Sequence, residues 1–202
     1  HMAEGAGLYI IIALGEGIIM TGATFADLEP STPATFAFLS AFLGSVAMWW
    51  IYFDVGARRG SEGIEQDDRP RLIGRQAYTY GHIPIVAGII LLAVGDEQVL
   101  THPAGHIEPF YIAAVVGGAI LFIGGTMVFK RMTSGQSFWP LSHCVGLALF
   151  LLLGVWAYLT HPAPLFLHLA ATAIFIVIAV WEWGSFHGGW AERMARVRAP
   201  KV

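Results

Sequence analysis

Residues 110–129 read FYIAAVVGGAILFIGGTMVF, a run of twenty residues without a charged side chain. An α-helix rises 1.5 Å per residue, so a helix of this length is about 30 Å long and matches the hydrocarbon core of a bilayer. Lipid offers the backbone no hydrogen-bond partners, whereas a helix satisfies its backbone groups internally. The stretch therefore predicts a membrane-spanning α-helix.

Five further stretches have the same character, and together the six indicate the class of the protein. The chain is 56% hydrophobic and only 12% charged, whereas about 25% of the residues in a soluble domain are charged. We expect an all-α, polytopic transmembrane helix bundle that forms a single domain over residues 1–202. The other predicted spans lie at about 6–25, 34–53, 75–95, 138–159 and 165–183.

The eleven Lys and Arg residues fall into three patches that separate the spans into pairs. The connections at 26–33, 96–109 and 160–164 contain none of them. Basic residues collect in cytoplasmic loops, so both termini are predicted to be cytoplasmic. Because the patches flank the spans, their expected partner is the lipid bilayer and not nucleic acid. The patches are Arg58, Arg59, Arg69, Arg71 and Arg75, then Lys130 and Arg131, then Arg193, Arg196, Arg198 and Lys201.

Glu16 is an acidic residue near the middle of the first span. It lies about ten residues, or roughly 15 Å, into the helix, and nothing else between Glu4 and Asp27 is charged. A charged side chain at this depth costs about 2.5–3.5 kcal/mol on insertion scales and usually faces protein or water. Glu16 is therefore predicted either to hold a neighbouring helix as a neutral hydrogen-bonding group or to form a proton or cation site.

Tyr78, His82 and Pro84 form a second polar feature, in the third span. Tyr78 and His82 are four residues apart on one helical face, so a local hydrogen bond between them is expected. Pro84 lacks an N–H and frees the carbonyl of Tyr80, which predicts a kink. Kinked helices beside ionisable residues are typical of transporters. The alternative is that His82 is a buried structural histidine.

Asp54, His143, His168 and Glu182 complete the set of ionisable residues in or near the spans. Asp54 ends the second span, where it could cap the helix or pair with Arg58. His143 lies in the fifth span, and Glu182 is expected to pair with basic residues near the C-terminus. A metal site built from Glu16, Asp54, His82 and His143 is an open alternative, since carboxylates and imidazoles suit several divalent ions. No closely spaced His pair imposes ligand geometry, so neither a metal nor a cofactor is predicted.

Three motifs resemble a known family. They are GLYIIIALGE at 7–16, WWIYFD at 49–54 and YTYGHIP at 78–84. In this order they resemble the C-terminal half of the bacterial low temperature requirement A (LtrA) proteins. The match is specific over residues 1–95, and the later spans agree mainly in hydropathy. The family consists of multi-pass membrane proteins of roughly twice this length, whose N-terminal half carries an acidic Phe-Phe-Asp-type motif.

The resemblance implies a multi-pass protein of the bacterial cytoplasmic membrane. It points to Glu16, Asp54 and His82 as polar positions within the motifs. It also implies that Glu16 and His82 find partners in an N-terminal half or through self-association. The family name describes a growth phenotype in the cold, so the resemblance supplies neither a reaction nor a substrate.

Three functions are compatible with these residues. The first is a proton- or ion-coupled transporter, in which Glu16 titrates and Tyr78 and His82 relay. The second is a structural or regulatory membrane protein whose buried acids hold helices together. The third is an intramembrane enzyme for a lipid-like substrate, which requires Glu16, Asp54, His82 and His143 to converge on one membrane face.

Overall fold

The computed structural model describes residues 2–57, 76–133 and 139–186. These ranges contain no strand and include six helices that are long and apolar enough to cross a membrane. The prediction of an all-α bundle with six spans is therefore confirmed. The helices are α1 (Met2–Asp27), α2 (Thr32–Ile51), α3 (His82–Thr101), α4 (Pro109–Ile112, Ala113–Gly117 and Gly118–Thr133), α5 (Leu141–Thr160) and α6 (Pro164–Phe186).

Local sequence explains where several of these helices begin and end. The Ser31 hydroxyl accepts a hydrogen bond of 3.3 Å from the Ala34 amide and caps α2. Pro109 and Pro164 begin α4 and α6, at a position where a missing N–H leaves no bond unmade. After α5, His161 takes a left-handed conformation with φ 47°. The short connections 28–31, 102–108 and 161–163 meet at one end of the bundle, which we call the loop end.

The helices pack in an order that the chain order does not show. The most extensive contacts join α2 to α6 and α3 to α4, while α1 lies against α2 and α3, and α5 lies against α4 and α6. The spans of α1 and α5 are the least buried and that of α4 is the most buried. Large apolar side chains such as Ile19, Leu152 and Leu159 therefore face outward, as expected of helices in contact with lipid.

The end of the third span differs from the prediction. We expected it to stop near residue 95, but α3 continues to Thr101 and carries Asp96 into the protein interior, where it is 6% exposed. The apolar run resumes at Val99 and Leu100, and Pro103 is the nearer stop signal. Asp96 lowers the hydropathy of this stretch, which is why the span was predicted to end there. The helix can carry Asp96 into the interior because the side chain has a buried hydrogen-bond partner on another helix, His168.

The backbone is irregular at the beginning of the third span, near the predicted kink. A π-helical turn, Gln76–Tyr80, leads through Gly81 into α3. A Cβ atom on Gly81 would lie 2.5 Å from the carbonyl oxygen of Ala77, so a larger residue does not fit this backbone. Tyr78 lies in this irregular turn and its ring stacks on that of His82, the first residue of α3. A second π-helical turn, Tyr52–Ala57, follows α2.

Candidate functional site

A groove runs between α1 and α3 and is open to the side of the bundle. Its volume is about 1040 Å³. Glu16, Tyr78 and His82 all line it, which brings together three of the five side chains predicted from the sequence. Thr21 and Glu97 line it toward the loop end. The groove thus follows α1 through most of the membrane, and Glu16 lies near its middle.

Glu16 is exposed on the groove, not buried against a neighbouring helix. The residues around it are mostly small or apolar, including Ala13, Gly17 and Ala93. No described side chain forms a hydrogen bond or ion pair with its carboxyl group. The structure therefore leaves the Glu16 carboxyl free to meet a ligand, water or a partner surface in the groove.

His82 links the groove to the interior of the bundle. Its Nδ1–H donates to the carbonyl oxygen of Ala77 at 3.1 Å, and its Nε2 lies 2.6 Å from the hydroxyl of Tyr52. A carbonyl only accepts, so a neutral His82 carries its proton on Nδ1. Its Nε2 then accepts a hydrogen bond from the Tyr52 hydroxyl. The expected hydrogen bond between Tyr78 and His82 is not present; their rings stack with centroids 5.7 Å apart instead.

Two polar side-chain atoms of the described residues are buried without a hydrogen-bond partner. They are the hydroxyl oxygen of Tyr78 and Oδ2 of Asp54. Asp54 does not line the groove. The predicted partner Arg58 lies outside the described residues. A buried polar group without a partner costs about 1–3 kcal/mol, so such atoms often mark places where water or a ligand binds.

His143 lies in a different place, a cluster centred on Lys130. The Lys130 ammonium donates to Glu182 Oε1 at 2.6 Å and to the carbonyl oxygen of Ile51 at 3.0 Å. His143 Nε2 is 3.5 Å from the same ammonium, and His143 is fully buried. Lys130 was assigned to a loop patch and Glu182 to pairing near the C-terminus. In the structure the two form a buried ion pair between α4 and α6, so Lys130 does not lie in a loop; the basic residues near the C-terminus lie outside the described residues.

A third polar cluster contains His168, which was recognised as an ionisable residue in the sixth span, and three residues that were not predicted to lie in the interior. Ser40, Asp96, His168 and Thr172 are buried together between α2, α3 and α6. Asp96 was predicted to lie in a loop. Ser40 and Thr172 were not distinguished from the other residues of their spans, because a hydroxyl group changes the hydropathy little. The position of Asp96 before Val99 and Leu100, with a helix-stopping Pro103 beyond, is the signal that could have found it.

The Tyr52 and Tyr78 hydroxyls provide a matched test of the His82 contacts. We expect Tyr52→Phe to lower the free energy of unfolding by about 1–3 kcal/mol, because it leaves the buried Nε2 of His82 without a partner. Tyr78→Phe removes a hydroxyl that makes no hydrogen bond, so it should be neutral or stabilising. Thermal unfolding of both variants in detergent compares them directly. A Tyr78→Phe loss as large as that of Tyr52→Phe would contradict the assigned bonding.

The described residues contain no group of three His, Cys, Asp or Glu side chains that could hold a metal ion. The four residues of the open metal alternative are divided between different places. Glu16 and His82 line the groove, whereas His143 belongs to the Lys130 cluster and Asp54 lies close enough to Lys130 and Glu182 to interact with them electrostatically.

The fold and the grouping of buried polar side chains define a multi-pass membrane protein with a groove along its first and third helices. The sequence model described as bacterial low temperature requirement A protein (LtrA) matches residues 1–180, and the chain belongs to this family. An uncharacterized protein of Rhizobium meliloti (strain 1021) is 40% identical over 185 residues. The match covers 91% of this chain and 44% of that protein, so the chain spans less than half of this relative's length. No solved structure matches the chain.

Proposed function

We propose that this chain is the transport module of a proton- or cation-coupled membrane transporter, with Glu16 as the group that binds and releases the ion. The observation that carries the proposal is that Glu16, Tyr78 and His82 line one groove. A carboxyl group in a span is costly unless it serves a site, and this one is open to the groove instead of being held by a neighbouring side chain.

The shape of the groove supports movement of an ion to and from Glu16. Its lining extends from Ala6 and Tyr78 near one end of the helices to Glu97 near the loop end. His82 lies at the boundary between groove and core, and its Nε2 contacts the buried Tyr52 hydroxyl. When His82 takes up a proton from the groove, the Tyr52 hydroxyl lies next to it inside the bundle and can both accept and donate a hydrogen bond.

The location and orientation belong to the same proposal. We place the protein in the bacterial cytoplasmic membrane with both termini in the cytoplasm, because basic residues flank one side of the spans. The outward apolar side chains of α1 face lipid, a second copy, or a segment of a longer protein such as the Rhizobium meliloti relative. The groove that contains Glu16 then opens within the membrane.

Flux measurements in proteoliposomes test the role of Glu16. Vesicles containing the protein and an internal pH-sensitive dye are given a pH gradient, with the membrane potential clamped by potassium and valinomycin. We expect the wild type to dissipate the gradient faster than protein-free vesicles, and Glu16→Gln to reduce the rate to that of protein-free vesicles. Glu29→Gln is the control, because Glu29 is an exposed acid in a connection between spans. Flux that Glu16→Gln leaves unchanged would remove the proposal, and repeating the assay with sodium and potassium gradients identifies the ion.

A second candidate function is favoured by the sideways opening of the groove. A lipid-like molecule could enter it from the bilayer, since the lining is mainly apolar, with Glu16 near its middle, His82 near one end and Glu97 near the other. The intramembrane enzyme outlined from the sequence needed Asp54 and His143 as well, and neither lines the groove. Lipid retained with the purified protein and lost in Ile12→Trp, which fills the groove, would favour this function over ion transport.

A further inference from the structure

The buried cluster of Ser40, Asp96, His168 and Thr172 joins three helices by hydrogen bonds. Ser40 Oγ lies 2.9 Å from His168 Nδ1 and 2.9 Å from Thr172 Oγ1. His168 Nε2 lies 2.7 Å from Asp96 Oδ1. All four residues are between 2% and 6% exposed, so bulk water does not supply or remove their hydrogen bonds. The positions of the protons can therefore be worked out bond by bond.

Each of the four contacts is taken as a hydrogen bond with its own proton, and the contact of Thr172 with a carbonyl oxygen has a fixed direction. The Thr172 hydroxyl donates to the backbone carbonyl oxygen of Ser40 at 3.1 Å, since a carbonyl can only accept. Its single proton is then used, so the bond between the two hydroxyls must be donated by Ser40. Ser40 in turn has no proton left for His168. The bond at 2.9 Å must therefore be donated by Nδ1–H of His168.

The remaining bond, between His168 and Asp96, then requires one additional proton. A neutral imidazole that carries its proton on Nδ1 has a bare Nε2. A bare nitrogen and a carboxylate oxygen 2.7 Å apart would be two acceptors facing each other without a hydrogen between them. We propose that Asp96 and His168 form a proton-binding site, in which one proton is held between Nε2 of His168 and Oδ1 of Asp96.

The other two buried histidines show that this requirement is specific. His82 is satisfied as a neutral ring, because its Nδ1–H donates to Ala77 and its Nε2 accepts from Tyr52. His143 is also satisfied as a neutral ring, with Nε2 toward the Lys130 ammonium and Nδ1–H toward the Ser142 hydroxyl at 3.2 Å. Of the described buried histidines, His168 alone needs an extra proton to complete its bonds.

The surroundings of the pair contain few other groups that could take up the proton. Ser40 from α2 and Thr172 from α6 contribute only hydroxyl groups. From α4, Tyr111 lies close enough to interact electrostatically with Asp96, and its hydroxyl donates to the Pro164 carbonyl oxygen at 3.2 Å. Glu97, the next residue on α3, lines the groove beside α1. Loss of the proton thus leaves a buried negative charge and breaks at least one bond between α2, α3 and α6.

Nitrogen NMR of the unmodified protein tests the proton count directly. With ¹⁵N-labelled histidine in detergent micelles near neutral pH, we expect His168 to carry a proton on Nδ1. We also expect a second proton on Nε2, or a protonated carboxyl band in the infrared spectrum that disappears in Asp96→Asn. The His168→Gln variant assigns the resonances. A neutral ring with its proton on Nε2, or a proton on Nδ1 without either of the other signals, would overturn the proposal.

The pH dependence of thermal unfolding gives a second readout. Above a pH of about 6.5 an unfolded histidine is neutral, so the folded state binds one more proton than the unfolded state and stability falls as pH rises. In Asp96→Asn the amide N–H donates to Nε2 of a neutral His168, which replaces the shared proton with a permanent one. We expect this variant to keep the wild-type midpoint near pH 7 and to lack the decline that the wild type shows at higher pH.

The controls separate this proposal from a purely structural role and from the proposed transport. Asp96→Ala should lower the midpoint at every pH, because it leaves Nε2 of His168 unpaired. An Asp96→Asn variant that loses stability with rising pH as the wild type does would contradict the proton site. Both measurements concern proton occupancy and stability, so they stand whether or not Glu16 carries ion flux.

Discussion

Lys130→Met is expected to lower the free energy of unfolding by about 3–5 kcal/mol, because removal of one partner from a buried ion pair leaves the other charge uncompensated. The charge left behind is Glu182, which is 4% exposed and lies 2.6 Å from the Lys130 ammonium. The carbonyl oxygen of Ile51 and Nε2 of His143 lose a donor at the same time. Unfolding by titration with a denaturing detergent, followed by tryptophan fluorescence, measures the loss.

Two further variants show whether the isolated charge is the cause. The double variant Lys130→Met with Glu182→Leu removes both charges and should recover most of the lost stability, since hydrophobic replacement of a whole buried pair is often neutral. Arg131→Met removes the neighbouring charge, which lies 5.4 Å above the Trp139 ring, and should cost about 1 kcal/mol or less. A double variant as unstable as Lys130→Met would show that packing, not charge, dominates.

Gly88→Ala is expected to cost about 3 kcal/mol, toward the upper end of the range for overpacked cores. A Cβ atom there would lie 2.6 Å from the Gly118 carbonyl oxygen and 2.6 Å from the Phe122 amide nitrogen. Both atoms belong to the α4 backbone, which cannot move aside as a side chain can. The substitution therefore has to push α3 and α4 apart, at one of the most extensive contacts in the bundle.

Gly124→Ala is the matched control for this effect. It changes a glycine of α4 whose added Cβ would meet nothing within 4 Å. Alanine is the better helix former by about 1 kcal/mol, so this variant should be neutral or slightly stabilising. Midpoints of thermal unfolding in the same detergent compare the two. Equal losses in both variants would mean that close approach of α3 and α4 is not what Gly88 provides.

Most of the fold could be predicted because hydropathy and helix signals are local. The length of each apolar run was enough to predict the six spans. The end of α3 was predicted wrongly because it depends on a contact that is not local. Asp96 is polar but lies inside a span, since its side chain has a buried hydrogen-bond partner in His168, which is 72 residues away in the chain. A local reading cannot detect a compensating partner at that distance.

The candidate site could be predicted only in part for a related reason. Glu16 and His82 were recognised because an ionisable group in an apolar run is unusual wherever it points. His143 was recognised in the same way, but it belongs to the Lys130 cluster and not to the groove. Ser40 and Thr172 gave no signal, because a hydroxyl costs little in a span and can bond to its own helix backbone. Their importance depends on the neighbours they meet.

By itself, the sequence determined the membrane class, the number of helices and the rarity of Glu16, since backbone hydrogen bonds in lipid must be made within each helix. Only the tertiary structure decided that α2 packs along α6 and α3 along α4, that Glu16 shares a groove with His82, and that Asp96 meets His168. The physical reason is that spans in lipid are apolar on every face. Their association therefore depends on close packing and on hydrogen bonds between helices, which hydropathy does not record.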